Sequence, residues 1–357
     1  MFSEAVGVVY QAAVRVKATL LNVLIFKVLL HNVRVMQGSA AKRASLFDGT
    51  SDRLHLYNIP MTSKEILGIR VDFGLTMDDV LGIVENKLLK DGDCHYICTT
   101  NPEFIMDAQL DPVFKRIINE SDLSVPDGAG VIYANKYLEK IKSLKKGKLF
   151  PVKAFVCGTY MGLSSLFVKK GVPAEKITGV ELTYKLCELA SKKGYTVFFL
   201  GGKPKDALGR HVIQDDKDLA TMAGESMKKL YPGLSVVGGT SKFVSEIKDD
   251  KKTVEYIKKC MHEKGVDHID FLFVAYGHSK QERWVSRNIH KIPAKVSIGL
   301  GGTFDYISGQ IKLPPEIYVK RNLGWVYRLI IQPWRAKRIF KAFPLFPLKV
   351  FRNSIQS

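Results

Sequence analysis

His268-Ile269-Asp270-Phe271-Leu272-Phe273-Val274-Ala275-Tyr276-Gly277 carries an almost unbroken apolar run into a glycine. A run of that length, rich in aromatic and β-branched residues and closed by a turn residue, reads as a strand buried on both faces. Two further runs share the plan: 195–200 enters Gly201-Gly202, and 295–300 enters Gly301-Gly302. Upstream, 66–72 reads as a strand, and 95–99 as a buried strand that leaves through Thr99-Thr100-Asn101-Pro102-Glu103. Helical patterns fill the intervals at 76–90, 107–120, 129–140, 179–193, 220–230, 250–264 and 280–290. Short apolar strands alternating with helices predict an α/β fold, a mostly parallel sheet with right-handed crossovers and helices on both faces. Ligands of such sheets bind at the carboxyl rim of the strands, where these glycines leave room.

The 357 residues divide into an apolar and basic extension with a linker (1–63), the α/β domain (64–310) and a basic appendage (311–357). With 54 Lys and Arg against 35 Asp and Glu, the formal charge of +19 calls for an anionic partner: lipid, nucleic acid or a phosphorylated substrate. Five scattered cysteines give no disulfide framework and favour a reducing compartment. Cys94-His95-x-x-Cys98 has the form of a metal half-site, but no second ligand pair follows, so strand alternation explains it and no metal is expected. Residues 1–38 are helix-like and interrupted by Arg15, Lys17, Lys27 and Arg34. That is too basic for a membrane span and lacks a cleavage pattern, which leaves an interfacial helix or one packed on its own domain.

Val125-Pro126-Asp127-Gly128-Ala129-Gly130 places one carboxylate on a Pro/Gly turn beside the strand end at Thr100. Asp127 is a candidate general base, although Asp-Gly after Pro is also ordinary turn chemistry. Gly201-Gly202 and Gly301-Gly302 suit close approach of backbone amides to an anion or a tight turn. Neither belongs to a Gly-x-Gly-x-x-Gly or P-loop pattern, which argues against dinucleotide and P-loop chemistry. After Tyr276-Gly277, Gln281 and Glu282 fall in the first turn of a helix and suit sugar hydroxyls, while Ser279 and Glu282 have capping-box spacing. His278 is tempting as an acid or base but reads rather as structural or solvent-exposed. Residues 136–176 carry ten lysines against Glu139 and Glu175, so 141–176 is an excursion that faces either membrane or solvent. From 310 onward ten Lys and Arg, among them Arg321, Arg328 and Arg335, face Glu316 alone. They are interleaved with aromatic and aliphatic residues, a pattern for a lipid headgroup boundary more than for a phosphate backbone.

Taken in order, Thr100-Asn101-Pro102-Glu103, Pro126-Asp127-Gly128, Ile177-Thr178-Gly179, 198–202, Tyr231-Pro232, Lys280-Gln281-Glu282, Gly301-Gly302-Thr303-Phe304-Asp305, Trp325-Val326-Tyr327-Arg328-Leu329 and Pro333-x-Arg335 resemble the WecG/TagA/CpsF glycosyltransferase family from 66 to 346. The resemblance implies a Rossmann-like sheet and inverting transfer of N-acetylmannosamine or a related sugar. A UDP-sugar would be the donor and a polyprenyl-diphosphate-linked sugar the acceptor, in cell-surface polysaccharide or teichoic-acid-type synthesis, without a metal or other cofactor. It implies Asp127 as base, with Thr100 and Asn101 in the same pocket. Lys176, Gly201, Gly202, Tyr276, Gln281, Glu282, Gly301 and Gly302 would bind substrate, and Arg321, Arg328 and Arg335 would take up the departing UDP. An enzyme of this kind would work on the cytoplasmic, inner face of an anionic membrane, with homo-oligomers compatible and no nucleic-acid partner.

Several positions depart from the family pattern. Lys176 stands for an arginine, Val180-Glu181 for Asp-Leu, Ser279 for a proline, Leu313-Pro314 for Arg-Ala, and Gly324 and Gln332 for glutamates. The excursion near 143–175 and the first 60 residues have no counterpart. Two other functions are open to the sequence: a non-catalytic membrane- or nucleic-acid-binding protein on a degenerate enzyme fold, and, more distantly, a nicotinamide enzyme.

Overall fold

The computed structural model describes residues 62–167, 176–203 and 218–356, all within one compact unit. The expected extension and linker before 62, and Lys169 and Lys170 of the excursion, lie outside the described residues. Strands β3 (His95–Thr100), β4 (Leu123–Pro126), β5 (Thr196–Gly201), β6 (Ser235–Thr240), β7 (Ile269–Ala275) and β8 (Ala294–Gly299) form one sheet in the order β4-β3-β8-β7-β5-β6. Every neighbouring pair is parallel, giving the Rossmann-like α/β fold expected. Successive side chains point to opposite faces. Phe198, Leu200, Leu272 and Val274 therefore enter one apolar layer, while Val197, Phe199, Phe271 and Phe273 enter the other.

Three local expectations need correction. The strand expected over 66–72 is a hairpin: β1 (Thr62–Ile66) turns at Leu67-Gly68 into antiparallel β2 (Ile69–Phe73), so the 63/64 boundary falls inside β1. Asp72 Oδ2 accepts from the Ser124 amide at 2.8 Å, and this holds the hairpin beside β4. The helix expected over 107–120 is two, Pro102–Ala108 and Pro112–Asn119. Pro112 cannot continue a helix but starts one, with Asp111 accepting from the Phe114 amide at 3.0 Å as its cap. The excursion contains the helix Phe150–Phe167, for which the lysine-rich sequence gave no expectation.

The C-terminal segment folds back over the carboxyl rim as the short helices Glu316–Lys320, Gly324–Ile331 and Ala336–Phe340, followed by Phe346–Gln356. Arg338 makes a bidentate ion pair with Glu103 (2.6 and 2.8 Å), and Lys341 reaches Asp107 at 2.6 Å. Glu103 and Asp107 lie one turn apart on the helix that starts at Asn101, so two carboxylates on one face receive two cations of the segment. No described helix is long and apolar enough to cross a membrane.

Candidate active site

The loops that leave β3, β4, β5, β7 and β8 open onto one cleft of about 1960 Å³, roofed by the C-terminal segment. Its volume exceeds the roughly 300–1,000 Å³ of a single small-ligand pocket and leaves room for a second substrate.

Two of the sequence motifs meet at its floor. The Asp127 amide donates to the Thr100 carbonyl at 2.8 Å, continuing the β3–β4 ladder by one residue. Asn101 caps the next helix, its Oδ1 accepting from the Phe104 amide at 3.1 Å, which fixes the side chain at the cleft wall. Pro102 packs on the opposing turn so closely that a Cβ on Gly130 would lie 2.8 Å from its Cγ. Gly128 sits at φ 100 and ψ 143, a conformation that favours glycine, and turns the chain from Asp127 into the helix Ala129–Lys142. Asp127 and Asn101 both line the cleft. Thr100 does not: its hydroxyl is buried and bonded to Ser124 at 2.7 Å, and Thr99 takes the wall position.

Burial raises the Asp127 carboxyl above the ordinary carboxylate range, while the Lys176 and Arg328 cations pull it the other way. The Ile177 amide, bonded to the Pro126 carbonyl at 3.1 Å, brings Lys176 to this turn.

Across the cleft, Gln281 ties two rim loops together. Its Oε1 accepts from the amides of Gly277 (3.1 Å) and Gly301 (2.8 Å), and its Nε2 donates to Glu282 Oε1 at 2.7 Å. Both side chains press on Gly299, where a Cβ would lie 2.6 Å from Glu282 Oε1. Ser279 does not cap this helix. It adopts φ 65, and Glu282 turns into the protein, where burial pushes its carboxyl up to about 7. Glu282 thus lies beneath the cleft wall, while Gln281 is on it. Tyr276 also lines the cleft and lays its ring on Gly201, which is held behind the wall, while Gly202 and Lys203 line the cleft.

Gly301 and Gly302 form the third side. Arg335 Nη2 would lie 3.1 Å from a Cβ on Gly302, and the guanidinium stacks 4.5 Å from the Trp334 ring. Arg328 donates to the Tyr306 hydroxyl at 2.7 Å. Burial, together with the like charges of Arg328 and Arg338, lowers Arg335 to about 10 against the pull of Asp305. A half-buried, crowded arginine group of this kind favours a multivalent anion, which would relieve its repulsion. Arg321 is exposed and off the cleft wall.

Lys203, Tyr306 and Arg338 also line the cleft and were not among the expected site residues. Lys203 directly follows the glycine pair, and Arg338 lies one helical turn beyond Arg335, so both had a signal in the spacing. His278 is structural as expected: it bonds Asp107 at 2.7 Å and packs edge-on to Phe104 with centroids 4.6 Å apart. Glu103, Asp107 and His278 could together hold a metal ion by proximity, but Arg338 and Lys341 already occupy the two carboxylates. At the Cys94–Cys98 stretch both His95 nitrogens are taken by Asp91 and Asp122 (2.7 and 2.9 Å). Burial pushes the Cys98 thiol there up to about 12.

The family model described as glycosyl transferase WecG/TagA/CpsF matches residues 64–147 and 155–357, so of the excursion near 143–175, expected to have no counterpart, only 148–154 falls outside the match. Among curated proteins, an N-acetylglucosaminyldiphosphoundecaprenol N-acetyl-beta-D-mannosaminyltransferase of Bacillus spizizenii is 27% identical over 76% of this chain and 84% of its own length. Proteins of the same name from Bacillus subtilis (27% identical, 72% of this chain and 79% of its own) and Staphylococcus aureus (24%, 71% and 79%) are also similar.

Proposed function

The chain belongs to the WecG/TagA/CpsF glycosyltransferase family, and from that premise we propose that it moves N-acetylmannosamine from UDP to a sugar on a polyprenyl diphosphate, inverting the anomeric centre. The observation that carries this reading is the pairing, in one cleft, of a carboxyl raised by burial (Asp127) with a crowded arginine group (Arg328 and Arg335). The acceptor hydroxyl attacks C1 of the donor sugar on the face opposite the nucleotide. Asp127 takes the hydroxyl proton as the new C–O bond forms, and the bond from C1 to the UDP oxygen breaks with its electron pair. Arg328 and Arg335 neutralise the charge that appears on UDP, the role a divalent cation has in other transferases. Asn101 is fixed by its cap to orient the reacting sugar. Gln281, with its carbonyl spent on two loop amides, retains one Nε2 hydrogen for the ligand.

The cleft has two walls of different character. Near the rim it is polar and cationic; towards Phe155, Phe343, Phe346 and Phe351 it is apolar, which suits an acceptor whose head is a sugar diphosphate and whose tail is a lipid. The test is transfer from UDP-N-acetylmannosamine to a short prenyl-diphosphate-N-acetylglucosamine in the presence of EDTA, with product mass and anomeric configuration as readouts. A β-linked disaccharide is expected. Retention of configuration, or transfer that needs an added metal, would overturn this mechanism.

A further inference from the structure

The helix Phe150–Phe167 begins in the short stretch that the family match skips, between 147 and 155. Lys153 is its one charged residue. A helix apolar on every side belongs in a core or against another apolar phase. Among the described residues only one side is covered. Ala154 is fully buried, Gly158 faces the Tyr137 ring with its Cβ position 3.2 Å away, and Phe155 meets Phe351 edge-on at 5.7 Å.

The opposite side faces outward. Val152 and Val156 are each 59% exposed and Tyr160 is 72% exposed, at intervals of four residues that place them in one stripe, with Leu149 at 65% just before it. The helix packed against it, Phe346–Gln356, adds Leu348 at 43%. The chain leading into this helix exposes Lys140, Lys142, Lys145 and Lys148, and the helix itself exposes Lys153. Glu139 is the sole carboxylate between 128 and 167, and it is ion-paired to Lys64.

We propose that Phe150–Phe167 is an interfacial membrane helix, its Val152–Val156–Tyr160 stripe among acyl chains and its lysines on anionic headgroups. This surface adjoins the last helix of the C-terminal segment through Phe351 and Leu348, and it does not depend on the transferase reading. Charge and apolarity together select the occupant. A nucleic acid would engage the lysines and leave the stripe in water, whereas a second copy would bring the same lysines against each other. The helix lies on the membrane and does not cross it. Its other side forms part of the cleft wall through Ala154, Gly158 and Thr159, so seating the stripe in lipid turns the apolar end of the cleft towards the bilayer.

The experiment is co-sedimentation of the full chain with phosphatidylglycerol–phosphatidylcholine vesicles, against phosphatidylcholine alone. Val156→Glu with Tyr160→Glu should weaken binding about tenfold or more at an unchanged melting temperature, because both side chains face solvent. Lys142→Glu, Lys145→Glu and Lys148→Glu together should weaken it on the order of 100-fold and flatten its salt dependence. In Tyr160→Trp, brominated acyl chains should quench fluorescence beyond the quenching seen in the parent chain. Vesicle affinity unchanged in both variants would overturn the proposal. So would a dimer that the Val156→Glu/Tyr160→Glu variant converts to monomer without loss of vesicle binding. Shielding of the stripe in the lipid-free chain that disappears on deleting residues 1–61 would overturn it as well.

Discussion

The Asp127 amide donates to the Thr100 carbonyl at 2.8 Å, so the candidate base is hung on the end of the neighbouring strand. Its position is therefore set by sheet register, and its proton affinity by burial against two cations.

Asp127→Asn keeps that backbone bond and removes the base. Turnover should fall by about 10²- to 10⁴-fold with UDP affinity unchanged, measured by product formation and calorimetry. In the parent enzyme the base must be ionised, and burial raises its pKa. The acidic limb of kcat against pH should then lie above the ordinary carboxylate range, and activity should be lost as pH falls through it. Full turnover by the variant would remove Asp127 from the mechanism.

Glu282 controls stability rather than chemistry. Its carboxyl titrates at about 7 in the fold and near 4.5 when unfolded. Between these values the native state holds a proton that the unfolded chain has released, so stability falls as pH rises from about 4.5 to 7 and levels off above. The full loss is on the order of 3 kcal/mol at about 1.4 kcal/mol per pKa unit. Glu282→Gln should abolish that slope in urea melts taken across the range. A parallel slope in the variant would assign the effect elsewhere.

Arg335→Gln removes a cation that burial and two like charges disfavour. The free protein should melt a few degrees higher, while UDP affinity drops about tenfold or more. Thermal shift with and without UDP reads both effects at once. Equal shifts by UDP in parent and variant would show that Arg335 does not meet the nucleotide.

Gly130→Ala puts a methyl 2.8 Å from Pro102 Cγ, with a rigid ring as the obstacle. It should cost about 1–3 kcal/mol and lower kcat, because the turn that carries Asp127 must move away from Asn101. A variant as stable as its parent would show that the turn yields freely.

Arg338→Ala and Lys341→Ala together release two cations from the helix that starts at Asn101. Trypsin should then cut the segment 310–357 sooner, at a cost of about 2 kcal/mol in unfolding. Unchanged digestion kinetics would place the anchor of the segment elsewhere.

The strands β3, β5, β7 and β8 are legible in the sequence because each is a continuous apolar run, and they bring the rim glycines with them. β4 and β6 are not legible. β4 is four residues long, with Ser124 inside and Pro126 at its end. In β6, Gly238 and Gly239 lie so close to Phe198 and Ala220 that packing demands glycine where β propensity would ask for valine. The site was half visible. Asp127 announces itself by its Pro/Gly turn, and Asn101 by its place among the polar residues that end an apolar strand. Periodicity could not show that Thr100 turns its hydroxyl into the sheet, or that Arg338 meets Glu103 across 235 positions of sequence.

The bifurcated acceptor on Gln281 has an energetic consequence. Gly277 and Gly301 rely on the same oxygen, so a rotation of that one side chain frees both amides together. One side chain thus couples the loops that leave β7 and β8. Hydrogen exchange of the two amides should report one common opening free energy, and a nucleotide that holds either loop should raise it for both.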